Sequence, residues 1–453
     1  MRKKSIPESG IYDARTLGVG RMGLLGFQHL FAMFGATVLV PILTGLSVSA
    51  TLLFAGLGTL LFHLITRGKV PAFLGSSFAF LGGYKAIAPL LQDGSPNTEL
   101  LPYACFGVAC AGLVYVVLSV LFKAFGAKKV MRFFPPIVTG PIIIAIGLNL
   151  SASAIDNCTG NWWVALSAVV IIIAANIWGK GMVKIIPILL GVIGSYAVAL
   201  IIDPAVRANV VQTVSEAKWF ALPVEWDRTV FGLFARESVD WQMILTAVIT
   251  IVPLSLATMV EHIGDISAIS STCGRNYIEE PGLHRTLMGD GLATTLAALF
   301  GAPANTTYGE NTGVLALSRI YDPRVIRIAA VLAALLSFCP KFAAVISAIP
   351  GGTIGGVSLV LYGMISAVGV RNVVENKVEF TKSRNVLIAA LILVLSIGIS
   401  YSSAGALSLG SINLSGLAVG SIVGIVLNAV MPGKDYVYGQ DKQGDESVNF
   451  IVQ

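Results

Sequence analysis

The chain alternates long apolar segments with short polar connections over most of its length. A membrane-spanning helix needs about 20 predominantly apolar residues, or fewer where the helix is interrupted. The pattern predicts fourteen spans, at 22–43, 50–66, 71–89, 102–123, 133–153, 162–178, 183–202, 241–262, 286–301, 303–318, 324–346, 351–370, 385–400 and 411–431. The third and tenth of these are too polar to be assigned from hydropathy alone.

The distribution of charge supports this count. If both termini are cytoplasmic, most of the 30 basic residues fall in cytoplasmic connections, as the positive-inside rule requires. Removing one doubtful segment would reverse every later connection and spoil the alternation. We therefore expect a multi-pass protein of the cell membrane with fourteen spans and two cytoplasmic termini.

Composition agrees with a membrane protein and argues against several other classes. The chain is 55% hydrophobic and 12% charged, whereas soluble domains carry about 25% charged residues. The five scattered cysteines predict neither a disulfide framework nor a metal cluster, and no basic-aromatic patch indicates nucleic-acid binding. Without a P-loop or a His-Glu-x-x-His motif, neither ATP drive nor a metalloenzyme is supported. No cofactor is predicted, and an ion gradient is the expected energy source.

The tenth segment carries the main functional signal. Residues 303–313 hold one carboxylate, two asparagines, three threonines and two glycines between two long apolar segments. Non-helical backbone at membrane depth must be buried in protein or line a cavity, and an ionisable side chain there is costly. We expect Glu310 and its backbone neighbours to bind a small polar solute; the alternative is a salt bridge that closes the helix bundle.

The two halves of the chain show a weak internal repeat. Pro71, which begins the polar third segment, lies 232 residues before Pro303, and His29 lies 233 residues before His262. Seven spans is an odd number, so the second half would be inverted relative to the first. Inverted repeats with one interrupted segment each are typical of secondary transporters, with the binding site at the repeat interface.

Two further groups of polar residues are candidates for this site. Glu261 and Asp265 are four residues apart and share a helix face, so one of them tends to hold a proton near neutral pH. The alternative is a polar helix end that faces water; Asp290 is a further carboxylate near the start of the ninth span. In the third segment, Ser77 permits close backbone approach and Phe78 could stack on a flat ring, although serines in membrane helices often only aid packing.

Several motifs resemble the nucleobase–ascorbate transporter family, also called nucleobase/cation symporter-2, and most closely its bacterial uracil-transporting members. The resemblance covers nearly all of residues 20–431. It rests on residues 28–41 (QHLFAMFGATVLVP), 74–80 (LGSSFAF), 281–285 (PGLHR), 305–311 (NTTYGEN) and 355–359 (GGVSL).

The resemblance implies an all-α fold of fourteen spans in two inverted repeats of seven, with short antiparallel strands in spans 3 and 10. A core domain would move against a gate domain. The implied divisions are a cytoplasmic tail at 1–21, the core at 22–132 (spans 1–4) and 241–348 (spans 8–11), the gate at 133–202 (spans 5–7) and 349–431 (spans 12–14), an extracytoplasmic loop at 203–240 and a cytoplasmic tail at 432–453.

The resemblance also assigns the site residues. The family's uracil-contacting glutamates fall on Glu261 and Glu310, and its backbone contacts on Phe78 and Gly309, beside Ser77 and Tyr308. Glu310 occupies the first position of the family signature, as in uracil-transporting members; purine-transporting members more often have glutamine there. Asp265 stands where the best-known uracil pattern has histidine, which leaves the details of proton coupling open.

These features together predict proton-coupled uptake of uracil by alternating access, with Asp265, Glu310 and Glu261 as candidates for the proton cycle. A xanthine or urate permease of the same family is the nearest alternative, followed by an inorganic-anion exchanger of the same architecture. The predicted partners are uracil, protons and the lipid membrane. The glycine-rich spans 12–14 suggest a homodimer through the gate domain.

Overall fold

The computed structural model describes residues 10–91, 94–126, 130, 135–409 and 412–433. Within these ranges it describes all side chains except those of Ala36, Glu310, Leu409, Ile412 and Asn413. The predicted C-terminal tail, from residue 434 onward, and the first nine residues of the N-terminal tail therefore lie outside the described residues.

Helices make up 75% of the structure. We number them α1 (Val19–Thr44), α2 (Val48–Ile65), α3 (Leu81–Ile87), α4 (Leu101–Phe125), α5 (Pro136–Thr159), α6 (Trp162–Ile177), α7 (Met182–Ile185), α8 (Pro187–Ile202), α9 (Pro204–Glu216), α10 (Val230–Phe234), α11 (Trp241–Ile251), α12 (Leu254–Cys273), α13 (Leu283–Leu299), α14 (Gly309–Ser318), α15 (Pro323–Leu336), α16 (Pro340–Ser347), α17 (Gly351–Glu375), α18 (Ser383–Tyr401) and α19 (Gly416–Val430). The strands are β1 (Leu74–Ser76), β2 (Asn305–Thr307), β3 (Ala406–Leu409) and β4 (Ile412–Ser415).

The apolar helices confirm a multi-pass membrane class. Among the described residues, seven helices are long and apolar enough to cross a membrane, with α11 and α12 counted as one. The count reaches nine if the bent pairs α8–α9 and α15–α16, with angles of 112° and 88°, are each one span. Because length and composition select seven to nine, the count of fourteen stays a prediction.

Glycines bring the longest helices into close contact. A Cβ atom added at Gly147 of α5 would lie 2.3 Å from the carbonyl oxygen of Tyr362 in α17. A Cβ added at Gly291 of α13 would lie 2.6 Å from the carbonyl oxygen of Gly112 in α4. Small residues that let backbones touch are the usual way in which helices associate in lipid, where the hydrophobic effect does not drive their association. The pairs α5–α17 and α4–α13 are therefore firmly packed units of the bundle.

Strands β1 and β2 pair antiparallel in the interior of this bundle. Gly75 lies opposite Thr306, and the pairing continues beyond both strands, with bonds of 3.0 Å from Ser77 N to Ala304 O and from Tyr308 N to Phe73 O. After β1 the chain forms a 3₁₀ turn at Phe78–Phe80 and then α3; after β2 it enters α14 directly. Two short helices thus begin beside the strand pair.

A segment of the predicted N-terminal tail packs against the bundle instead of extending from it. Ile11 pairs in parallel with Ile320, just after α14, through bonds of 2.8 Å from Ile11 N to Arg319 O and from Tyr321 N to Ile11 O. Ala14 N donates to Asp322 Oδ2 at 2.7 Å. We call residues 10–17 the N-terminal strap.

Charged side chains add to the attachment of the N-terminal strap. Asp13 accepts hydrogen bonds from Arg15 and pairs with Arg324 at 2.9 Å. The hydrogen bond from the Arg15 side chain lowers the pKa of Asp13 to about 2, so this carboxylate is charged at neutral pH.

Candidate functional site

The two helix starts beside the strand pair form the centre of the candidate site. Ser77 precedes the 3₁₀ turn and Tyr308 precedes α14, and neither side chain caps the helix that follows it. The first N–H groups of a helix have no partner within that helix, and they attract partial negative charge. Because the side chains of Ser77 and Tyr308 do not cap these helix starts, the backbone N–H groups at Phe78 and Gly309 can bind the carbonyl groups of a solute.

Strand β1 holds Tyr308 by close packing and hydrogen bonds. The Tyr308 hydroxyl donates to Ser76 O at 2.7 Å, and Thr37 Oγ1 donates to it at 3.2 Å. A Cβ added at Gly75 would lie 2.6 Å from two carbons of the Tyr308 ring, so only glycine leaves room for the ring here. Tyr308 as a whole is 5% exposed and its hydroxyl is engaged, so the residue belongs to the packing next to the start of α14.

Helix α12 brings two of the predicted carboxylates to the same place. Glu261 is exposed although it lies within an apolar helix, and Asp265, one turn later, is half-buried. A Cβ added at Gly309 would lie 3.3 Å from Asp265 Oδ1, so the start of α14 is close to this carboxylate. An added Cβ at Gly264, between them, would meet nothing within 4 Å. This face of α12 therefore borders open space.

Beyond Asp265, α12 ends beside an open surface depression. The depression has a volume of about 330 Å³ and is lined by Ser267, Ser270, Ser271, Arg275, Asn276 and Ile278. The three serines lie on the helix that carries Glu261 and Asp265.

Glu310 is the second residue of α14, in the first turn beside β2. Its side chain lies outside the described part of the structure, so its predicted contact with a solute stays a prediction. Its neighbour Asn311 is buried, and its Nδ2 lies 3.2 Å from both Nδ1 and the carbonyl oxygen of His29. This contact fastens the first turn of α14 to α1.

A buried polar network connects Asp265 to a second carboxylate. Thr307 Oγ1 donates to Asp265 Oδ2 at 3.1 Å and lies 3.2 Å from Nδ1 of His262. The same Nδ1 lies 3.3 Å from Oδ2 of Asp290, and the side chains of His262 and Asp290 are both fully buried. A buried charge is costly unless it is paired, so the Asp290 carboxyl depends on its contact with His262.

The sequence alone assigns no role to Asp290 or Thr307 of this network. Asp290 is a carboxylate within an apolar segment, which by itself is a functional signal. Nothing in the sequence distinguishes Thr307 from its neighbour Thr306, because only the direction of the side chain on β2 separates them. Among the described residues, no group of three His, Cys, Asp or Glu side chains could hold a metal ion.

A multi-pass bundle whose two interrupted segments meet in its interior, beside buried and exposed carboxylates, has the organisation of a membrane transporter. The family model Xan_ur_permease, described as a Permease family, matches residues 20–405, and the chain belongs to that family. Membership identifies the protein as a transporter and not an enzyme.

The similarity of this chain to known proteins extends over nearly its whole length. The uracil permease of Bacillus caldolyticus is 40% identical over 440 residues, which cover 94% of this chain and 95% of that protein. The uracil permease of Bacillus subtilis (strain 168) is 38% identical over 437 residues, or 93% of each chain. Among solved structures, the transmembrane domain of a cyanobacterium bicarbonate transporter, BicA, matches 93% of this chain and 99% of its own, with a TM-score of 0.56 and 15% identity. At that identity the likeness shows the fold alone.

Proposed function

We propose that this protein imports uracil together with protons, by alternating access, and binds uracil beside the strand pair β1–β2. The observation that carries the proposal is the position of the uncapped start of α14 beside Asp265 of α12, with a second uncapped helix start after the paired strand β1. The relatives named uracil permease, at 38–40% identity over more than nine-tenths of the chain, support the choice of substrate.

The proposed binding mode matches the hydrogen-bonding groups of uracil, a flat ring with two N–H donors and two carbonyl acceptors. The carboxylates of Glu261 and Glu310 accept from the ring N–H groups, and backbone N–H groups at Phe78 and Gly309 donate to the carbonyls. Ser77 and Tyr308 flank these backbone contacts. An inorganic anion is a poor fit, because the described site presents the carboxylates of Glu261 and Asp265 and would repel it.

We assign the core domain to 22–132 and 241–348 and the gate domain to 133–202 and 349–431, with fourteen spans and both termini cytoplasmic. The packed pair α4–α13 falls within this core and the pair α5–α17 within this gate, as expected if each moves as a unit. The loop at 203–240 would be extracytoplasmic, and a homodimer would form through the gate domain.

The proposal is tested by uptake of labelled uracil into cells or membrane vesicles, with and without a protonophore, and with xanthine, urate and thymine as competitors. We expect uphill accumulation of chemically unchanged uracil that the protonophore abolishes. Accumulation that follows a sodium gradient would show that sodium, and not the proton, is the coupling ion. Stronger competition by xanthine than by unlabelled uracil would show that uracil is not the preferred substrate.

Glu310 provides a sharper test of the proton cycle. We expect Glu310→Gln to abolish uphill uptake, because the amide keeps the shape of the side chain but cannot change its protonation state. The measurement is uracil accumulation against its gradient, with the amount of protein in the membrane determined for each sample. Accumulation by the variant at the wild-type rate would remove Glu310 from the proton cycle.

A further inference from the structure

The hydroxyl of Thr307 lies between two groups of titratable side chains. On one side is Asp265, which is half-buried at the edge of the site; on the other are His262 and Asp290, which are fully buried. Thr307 itself is 4% exposed, and its backbone is fixed opposite Leu74 in the strand pair. Thr307 therefore connects Asp265 to the His262–Asp290 pair.

A threonine hydroxyl has one proton and two lone pairs, so it can donate to Asp265 or to His262 but not to both at once. When Asp265 is ionised, the hydroxyl donates to Oδ2 of Asp265 and accepts from an N–H at Nδ1 of His262. When Asp265 takes a proton, the acid can donate to Oγ1 of Thr307, which frees the hydroxyl proton to turn to a bare Nδ1 of His262. The protonation of Asp265 thereby favours the His262 tautomer with a bare Nδ1.

The tautomer of His262 in turn decides whether Oδ2 of Asp290 faces an N–H or a lone pair at Nδ1, which lies 3.3 Å away. An N–H at Nδ1, shared between Thr307 Oγ1 at 3.2 Å and Asp290 Oδ2 at 3.3 Å, stabilises the Asp290 carboxylate, whereas a bare Nδ1 places a lone pair against it. In a buried setting that repulsion is not screened by water, so Asp290 then favours its protonated form. A proton on Asp265 thus promotes a proton on Asp290.

We propose that Thr307 is a positioning residue that couples the protonation of Asp265 at the site to that of the buried His262–Asp290 pair. The inference rests on the proposed function, in which Asp265 exchanges protons during transport. The other titratable groups around this network are Glu261 on α12, Tyr115 on α4, Tyr308 before α14 and Glu310, whose side chain is not described.

The test compares Thr307→Val and Thr307→Ala, which lack the hydroxyl, with Thr307→Ser, which keeps it. Thr306→Val is the matched control, because it removes a neighbouring buried hydroxyl that points to the opposite face of β2. Uracil uptake driven by a proton gradient is measured against pH in vesicles, with rates expressed per molecule in the membrane. Exchange of external for internal uracil, which needs no net proton movement, is measured in parallel.

We expect Val and Ala at 307 to lower proton-driven uptake about tenfold and to move the midpoint of the pH profile by about one unit. Exchange should stay near the wild-type rate, and both Ser at 307 and Val at 306 should behave like the wild type. A Thr307→Val profile identical to the wild type would overturn this inference alone. Equal losses in Thr307→Ser and Thr307→Val would overturn it as well, because they would show that the shape of the side chain matters rather than its hydroxyl.

The wild-type control separates this inference from the proposed function. If a protonophore leaves wild-type uracil uptake unchanged, proton coupling itself is wrong, and the role of Thr307 in it is excluded too. If wild-type uptake is proton-driven, the variants decide the role of Thr307 by themselves.

Discussion

At the scale of single residues, Gly75 is required by the ring of Tyr308. An added methyl group would lie 2.6 Å from the ring and 2.7 Å from Oγ1 of Thr37. We expect Gly75→Ala to push the ring aside, break the bond from its hydroxyl to Ser76 O and displace Gly309 next to it. Overpacking of this kind costs about 1–3 kcal/mol of folding stability. Thermal unfolding in detergent and uracil uptake measure the two effects.

Gly82 in α3 is the control for this prediction. A Cβ added there would lie 3.6 Å from Cδ2 of Leu417, an ordinary contact distance. Gly82→Ala should therefore unfold at the wild-type temperature and transport normally. If Gly75→Ala does the same, Tyr308 has more freedom than its packing indicates.

The residue scale is also where the sequence was most informative. A carboxylate in an apolar membrane segment has a high free-energy cost and is therefore a functional signal in the sequence. Glu261, Asp265 and Glu310 could be selected on this ground without a structure. Their spacing placed Glu261 and Asp265 on one helix face, and the structure has both on α12, beside the start of α14. The role of Thr307 could not be found in this way, because it depends on which face of a three-residue strand the side chain occupies.

At the scale of elements, no third strand among the described residues covers either edge of the strand pair. The bonded pairs include Phe73 with Tyr308 and Ser77 with Ala304, so the alternation of an antiparallel ladder leaves the backbone groups of Leu74 and Asn305 facing outward. In a membrane protein these groups need other partners. Thr294 Oγ1 donates to Asn305 O at 2.6 Å, and Thr59 Oγ1 bonds both Leu74 N, at 2.9 Å, and Leu74 O, at 3.2 Å.

Thr59 is therefore expected to matter far more than an average threonine in a membrane helix. Thr59→Val keeps the shape but leaves the outward N–H and carbonyl of Leu74 without their partner, at about 1–3 kcal/mol for each buried group. Thr51→Val is the control on the same helix, because Thr51 Oγ1 bonds the carbonyl of Ser47, the N-cap residue one turn earlier, at 2.7 Å. We expect a lower unfolding temperature and reduced uptake for Thr59→Val only. Equal behaviour of the two variants would contradict this role.

The sequence could not indicate this arrangement of elements. The polarity of 303–313 predicted an interruption, and the structure has β2 there. A threonine in an apolar helix, however, usually bonds the carbonyl one turn earlier, as Thr51 does. Only the three-dimensional meeting of α2 and α13 with the strand pair distinguishes Thr59 and Thr294 from such residues.

At the scale of the whole molecule, the N-terminal strap connects segments that are distant in sequence. The hydroxyl of Tyr12 donates to Cys273 O, at the end of α12, at 2.5 Å, and its ring lies 4.1 Å from the guanidinium carbon of Arg275. The same ring is 5.4 Å from that of Tyr321, which follows α14. Helices α12 and α14 also carry Asp265 and Gly309, so the strap fixes the relative position of two helices of the site. Composition alone predicted only a polar tail here.

We expect Tyr12→Ala to loosen this connection. The loss of the cation–π contact, the aromatic contact and the hydrogen bond should cost about 1–3 kcal/mol and lower the unfolding temperature. Because α12 and α14 can then shift relative to each other, the KM for uracil should rise about threefold while the maximal rate changes less. Tyr12→Phe, which loses only the hydrogen bond, should fall between Ala and the wild type.

Arg15→Ala, which removes an exposed ion pair of the strap with Asp13, should leave KM unchanged, because exposed pairs contribute little. A wild-type KM in Tyr12→Ala, together with a lowered unfolding temperature, would limit the strap to a role in stability.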